Sequence, residues 1–324
     1  MDLDGAELRL RAWEPADAPG VLGLLDAGAD HLWVTQCHAL HGPPRDGERW
    51  RRTTVAELDG AVVGAATAAR NRVHPDRFSC AVDVHPAWRR RGIGRRLLAA
   101  VRTGGSEGLP LTGKLRPWDA AATGFLAAAG GSVRQRCPGQ VVDLDDPGVL
   151  AWAEQHDLAA AAPPGLETGS LERLGDQHLA QAFAEQYLWV HAPWSPVPPG
   201  APRRALAEVA VATAAEVDRA LSSGVWWRGR LMATVLVFPS SRGWEAVAET
   251  VVPQVRAVGV PARCSGVEVL RSALARTLVQ LARRGDERPH QLELDGHVDD
   301  PHLQPALAGL PVVELRPLLL VLVP

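Results

Sequence analysis

Residues 82–98 read Val-Asp-Val-His-Pro-Ala-Trp-Arg-Arg-Arg-Gly-Ile-Gly-Arg-Arg-Leu-Leu, and no other stretch constrains the fold as strongly. Apolar alternation over 78–84 predicts a strand. Pro86 lacks an amide hydrogen and cannot extend a ladder, so the strand must end before it. A bend containing Gly92, Ile93 and Gly94 then leads into a helix expected from about Gly92 to Arg102. Strand, glycine bend and helix N-terminus make one half of a crossover unit, which places the chain in the α/β class. The first amides of such a helix lack acceptors, and the helix dipole adds partial positive charge. Glycines let an anion approach without a Cβ in the way. Arg89, Arg90, Arg91, Arg95 and Arg96 strengthen the field, so a diphosphate is the natural guest. The bend is not a Rossmann fingerprint, because no glycine stands three residues after Gly94, and it lacks the Gly-Lys-Ser/Thr of a Walker A loop.

Around this unit the first half alternates strands with helices. Strands are expected over 7–13, 53–58, 61–69, 109–115 and 133–144, and helices over 15–27 and 120–129. Asp59-Gly60 between two apolar alternations predicts a hairpin. Hairpins mixed with crossover helices imply a mixed sheet. Residues 146–165 shift to Asp, Pro, Gly and Ala and are expected to form a linker. After it the element order starts again, with strands at 165–171, 226–238, 244–252, 290–294 and 312–323 and helices at 176–187, 202–221, 266–284 and 302–308. The 324 residues suffice for two domains, and the repeated order points to a tandem duplication. The expected division is a domain over 1–146, a linker over 147–165 and a second domain over 166–324.

Composition removes several alternatives. A formal charge of −3 disfavours a nucleic-acid partner. The four cysteines, Cys37, Cys80, Cys137 and Cys264, lie far apart with no Cys-x-x-Cys pair, which argues against a disulfide framework and a Cys-rich zinc site. The N-terminus shows no basic, apolar leader pattern. The apolar run Pro317–Pro324 is too short to span a bilayer and reads as a final strand. A cytoplasmic monomer or homodimer with no membrane partner is the expectation.

The pattern Val-x-Val-x-Pro-x-x-Arg-x-x-Gly-x-Gly-x-x-Leu-Leu resembles the acetyl-coenzyme A signature of the GCN5-related N-acetyltransferases (GNATs). Arg89-x-x-Gly92-x-Gly94 fits the core of that signature, and the element order of residues 7–144 fits the rest. The resemblance implies two tandem GNAT domains and acetyl-CoA as cosubstrate, with no metal. It also implies direct attack of a small-molecule amine (an amino sugar, an antibiotic or an amino-acid derivative) on the thioester. By the same resemblance Val82, Asp83 and Val84 would hydrogen-bond the pantetheine arm. The amides from Arg90 to Arg95 would hold the diphosphate, and Asp119 would stand where the family commonly has an asparagine at coenzyme A. The chain departs from the family at both proton-handling positions, where the usual tyrosine acid is Leu126 and the glutamate base of some members is Lys114. Asp83, acting through water, is the expected base, with His74 and His85 behind it.

In the second half the corresponding stretch, 258–270, keeps valines ahead of a proline (Val258-Gly-Val260-Pro261) and one glycine of the bend, Gly266, and Glu268 is expected at the second glycine's place. A carboxylate there would repel a diphosphate, so this half is expected to bind no coenzyme A. Trp189, Trp194, Trp226, Trp227 and Trp244 are candidates for a substrate cleft or for packing. Cys37-His38-x-x-His41 offers metal-type side chains without a fourth ligand at suitable spacing, and a loop over the acceptor site is the preferred reading. The rival functions are a non-catalytic acyl-CoA-binding or scaffold protein and transfer of another acyl group on the same fold.

Overall fold

The computed structural model describes residues 7–25, 29–105, 108–160, 162–239, 244–251, 265–284 and 289–324. In chain order the elements are β1 (Leu8–Ala12), α1 (Ala18–Leu22), α2 (His31–Gln36), β2 (Arg51–Leu58), β3 (Ala61–Arg70), β4 (Phe78–Val84), α3 (Ile93–Thr103), β5 (Leu111–Leu115), α4 (Ala120–Ala128) and β6 (Ser132–Cys137). They continue with β7 (Gln140–Asp143), α5 (Pro147–His156), β8 (Leu166–Ser170), α6 (Asp176–His191), α7 (Ala201–Glu216), β9 (Ser223–Trp227), β10 (Arg230–Phe238) and β11 (Trp244–Thr250). The chain closes with α8 (Gly266–Ala282), β12 (Gln291–Asp295), α9 (Leu303–Ala306), β13 (Glu314–Leu315) and β14 (Leu318–Val323).

Two seven-stranded mixed sheets result, ordered β1-β2-β3-β4-β5-β14-β6 and β8-β9-β10-β11-β12-β7-β13. They give two compact units, Met1–Gln135 with Leu318–Pro324, and Arg136–Pro317. This corrects the boundaries expected from sequence. The apolar segment at 133–144 breaks into β6 and β7 at Gly139, whose φ is +57°. β7 pairs with β12 and β13 of the second sheet, while the chain's last strand pairs with β5 of the first. The expected linker holds α5, whose Val149, Trp152 and Ala153 belong to the second unit's core.

In the first unit β3 lies between β2 and β4, and six consecutive residues of it are buried. Small side chains suit that place because elements pack on both faces. α3 lays Ile93, Leu97, Leu98 and Val101 into this core. Burying those four side chains contributes roughly 8 kcal/mol as an upper estimate. Gly64 of β3 permits the approach, since a Cβ there would stand 3.0 Å from Leu97 Cδ1 and 3.1 Å from the Asp83 carbonyl. The hairpin between β2 and β3 turns at Asp59 and Gly60, both with positive φ, as predicted. The expected strand at 226–238 is instead two strands, because Arg228 and Gly229 also take positive φ and close a hairpin between β9 and β10. Among the described residues no helix is long and apolar enough to cross a membrane.

Candidate active site

The site of the first unit begins where its sheet opens. β4 and β5 run parallel but pair only at Phe78–Leu111 and Ser79–Thr112. Gly113 then passes so close to β4 that a Cβ would meet the Cys80 carbonyl at 2.9 Å. Beyond that point β4 stays paired to β3 as far as Val84, and the residues Cys80–Val84 line a cavity of about 480 Å³. Trp33 of α2, Lys114 of β5, Phe125 and Leu126 of α4, and Val321 and Val323 of β14 line it as well.

One end of the cavity is the arginine-rich bend. His85 Nδ1 accepts from Ala87 N at 3.3 Å and opens a single 3₁₀ turn at Pro86–Trp88. Arg89 Nε donates to the Val84 carbonyl at 3.0 Å, which ties the bend to the end of the strand. Arg90 and Gly92 both take left-handed conformations, with φ of +66° and +79°. Alternating left-handed residues turn successive amides inward as an anion-binding concavity. Gly92 caps α3 without a side chain, and the amides of Gly92, Ile93, Gly94 and Arg95 have no protein acceptor among the described residues. A Cβ on Gly94 would stand 3.5 Å from Phe125 and 3.7 Å from Val84, inside the cradle. The site is therefore an uncapped helix N-terminus facing a cleft, which suits a diphosphate on an extended arm.

Val82, Asp83, Val84, Arg89, Arg90, Gly92, Ile93, Gly94, Arg95 and Asp119 all line the cavity. Ile93 can contribute only main chain, because its side chain is buried in the core. Arg91 does not line the cavity; its guanidinium stacks 4.7 Å over the Trp88 ring. Asp119 has a local task as well, since Oδ1 caps α4 by accepting from Ala121 N and Ala122 N at 2.9 Å, and Oδ2 lies 4.0 Å from Arg89. Neither His74 nor His85 lines the cavity. Leu126 and Lys114 do, and Lys114 Nζ is bound to Gln36 Oε1.

Asp83 has partners that sequence reading missed. Its Oδ2 is 2.9 Å from His41 Nε2 and 3.3 Å from His38 Nδ1. The two histidines sit three residues apart on one 3₁₀ turn, His38–Leu40 with His41 as its cap, and that spacing aligns them on one side. The ladder of β3 with β4 brings Asp83 to them. Burial alone would push the Asp83 carboxyl up, but the hydrogen bonds and charge of the two rings together outweigh it and hold the group well below the usual carboxylate range. Asp83 is thus an ionised, weakly basic carboxylate paired with imidazoles, not a lone base. The motif was visible as Cys37-His38-x-x-His41; what was missing was a carboxylate 42 residues further along the chain. Cys37 takes no part as a thiolate, since burial pushes its thiol up to about 12.

Residues 49–128 match the family model described as the acetyltransferase (GNAT) domain. That segment of the first unit is therefore similar to a GNAT acetyltransferase domain. The chain's two sheets have the fold of two tandem GNAT domains. A GCN5-related N-acetyltransferase from Sphaerobacter thermophilus shares the fold at a TM-score of 0.63 and 17% identity, over 97% of this chain and 95% of that one. A tandem GNAT protein from the clavulanic acid biosynthesis pathway aligns at a TM-score of 0.60 and 18% identity, over 98% of both chains. No curated protein matches the chain by sequence.

The second GNAT unit treats the equivalent helix differently. Ser265 caps α8, its side chain accepting from Glu268 N at 3.4 Å. The His302 ring fills the space beside Gly266, where a Cβ would fall 2.3 Å from Nε2. Counted from the helix caps, Glu268 occupies the place of Arg95 and Val267 that of Gly94, which corrects the alignment read from sequence. Glu268 pairs with Arg271 at 3.0 Å. The preceding residues 252–264, including Cys264, lie outside the described residues. Trp226 is a core residue, Trp227 and Trp244 pack on the core, and Trp189 donates to the Thr250 carbonyl at 2.6 Å. Trp194 packs on His191 and His297. The packing reading of these tryptophans fits their surroundings.

Proposed function

We propose that the first GNAT unit binds acetyl-CoA and transfers its acetyl group to the amine of a small molecule, and that the second unit binds no coenzyme A. The observation that carries this reading is the opening between β4 and β5 leading to the uncapped amides of Gly92–Arg95. An extended pantetheine arm fits against the free edge of Val82–Val84, as an added strand would. The diphosphate fits the concavity at α3, with Arg90 and Arg95 around it. Asp119 and Arg89 shape the rim. The cavity volume of about 480 Å³ suits an arm and a thioester, and it leaves the exposed end of a nucleotide outside.

Transfer needs a neutral amine at the thioester carbon and removal of one proton from the incoming ammonium. Asp83 with its two imidazoles takes that proton through water. With Leu126 in the usual acid position, the thiolate, a fairly good leaving group, departs unprotonated, and the second proton, lost from the amine nitrogen as the tetrahedral adduct collapses to the amide, passes to solvent water. For the second unit, the Ser265 cap, the acidic Glu268 in the first turn and the His302 ring beside Gly266 leave the α8 N-terminus unsuited to a diphosphate.

Isothermal titration of the full chain with acetyl-CoA is expected to give one site per chain, and free-thiol release on adding amines is expected to show turnover. Absence of binding would overturn the reading. Binding without turnover across a broad amine panel would favour the rival acyl-CoA-binding module, for which Leu126 and Lys114 at the proton-handling positions are the favouring observation.

A further inference from the structure

The cluster around Asp83 supports a second assignment, which stands on its own hydrogen-bond geometry. His41 Nδ1 lies 2.8 Å from Thr67 Oγ1, Thr67 Oγ1 lies 2.8 Å from Thr53 Oγ1, and Thr53 Oγ1 lies 2.7 Å from the Gly42 carbonyl. These three contacts require three hydrogens. The carbonyl supplies none, and each hydroxyl supplies one. The third hydrogen therefore sits on His41 Nδ1. With Nδ1 so committed, the Nε2 lone pair of His41 points at Asp83 Oδ2 across 2.9 Å. Two acceptors hold that distance only with a cation between them, either a proton or a metal ion.

A metal ion satisfies the rest of the cluster as well. His38 Nδ1, His41 Nε2 and an Asp83 carboxylate oxygen all lie within 4.8 Å of one another. Their separations from Asp83 Oδ2 are 3.3 and 2.9 Å; the first matches the roughly 3.4 Å between tetrahedral ligands about 2.1 Å from one ion, and the second reaches it by opening about 0.5 Å. His41 already has the outer hydrogen bond that metal-ligating imidazoles characteristically make through their second nitrogen, here to the fully buried Thr67. Two imidazoles and one carboxylate favour zinc-class ions over magnesium or calcium, which select all-oxygen sites.

We propose that His38, His41 and Asp83 form a binding site for a divalent transition-metal ion of the zinc class, with Thr67 as the residue that fixes His41 in its ligating tautomer. Three protein ligands leave a fourth tetrahedral position open. Because Asp83 also lines the cavity, water or an amine can complete the set there. Metal uptake displaces the proton between His41 and Asp83 and occupies the carboxylate assigned to proton removal, so zinc and turnover compete.

The test uses the full chain, freed of any affinity tag and treated with chelator. Co²⁺ is followed by its visible absorption and Zn²⁺ by calorimetry, while circular dichroism melts report folding independently of acetyl-CoA binding. The expected result is one ion per chain with tetrahedral-type cobalt absorption. His38→Gln and His41→Gln are expected to weaken binding at least a hundredfold. Thr67→Val is expected to weaken it by about ten- to a hundredfold while the melt stays cooperative. No uptake by the wild-type chain would overturn the site, as would uptake unchanged in folded His38→Gln and His41→Gln chains. Failure of acetyl-CoA to bind would leave this assignment standing, and failure of metal uptake would leave the transferase reading standing.

Discussion

The bend at Gly92 gives the sharpest test of the diphosphate site. Gly92 takes φ of +79°, and a Cβ there would meet only Arg95 Nη2, at 3.6 Å. Gly92→Ala is thus sterically tolerated and costs roughly 1–2 kcal/mol of backbone strain. If all of that strain fell on binding, affinity would drop about tenfold. Gly92→Glu carries the same strain and adds a carboxylate beside the anion. At about 6 Å and an effective dielectric of 20, each like-charge pair costs about 3 kcal/mol, which is a further hundredfold or more. Titrating acetyl-CoA into the wild type, Gly92→Ala and Gly92→Glu separates strain from charge. The gap between Ala and Glu should narrow in high salt, because screening weakens only the charge term. Equal affinities for the Ala and Glu chains would refute the placement of a diphosphate at this helix N-terminus.

Asp83→Asn is expected to cut turnover by about 10²- to 10⁴-fold with acetyl-CoA affinity changed only a few-fold, as read by steady-state thiol release; an unchanged turnover number would remove Asp83 from the reaction. Deleting Leu318–Pro324 takes β14 from beside β5 and strips Val321 and Val323 from the cavity wall, so the shortened chain should lose acetyl-CoA binding in calorimetry, and full retention would contradict the sheet order. Burial, reinforced by the charges of Asp300 and Asp295, pushes Glu249 of the second unit up to about 8. A carboxyl raised on folding gives stability that is complete below the ordinary carboxylate range and lost as pH rises toward 8. Melting temperature should therefore fall between pH 5 and pH 8, and Glu249→Gln should flatten that slope; an identical slope in the variant would count against the buried carboxyl.

Which features were legible in the sequence depended on how local their causes are. The strand over 78–84 matches β4 at both ends, because its apolar alternation and Pro86 act within a few residues. Asp59-Gly60 turned where expected, since the left-handed conformation both residues adopt is favoured by their own chemistry. Arg228-Gly229 turned just as tightly and was missed, because arginine at a left-handed position carries no compositional signal. The second helix starts at Gly266 as expected, but its cap is Ser265 whereas α3 is capped by Gly92 itself, so pairing Gly266 with Gly92 put Glu268 one place off. His38 and His41 drew notice as a pair, yet their role stayed hidden until the ladder between β3 and β4 set Asp83 against them.

The sequence alone determined the chemistry of the bend: its glycines, arginines and helix start are neighbours in the chain, and backbone sterics fix their geometry locally. Tertiary structure decided which sheet each closing strand joins and which side chains surround Asp83. β7 (Gln-Val-Val-Asp) and β14 (Leu-Leu-Leu-Val-Leu-Val) are short strands that carry no mark of their partners, so composition cannot choose between the sheets, and only packing across the whole chain can.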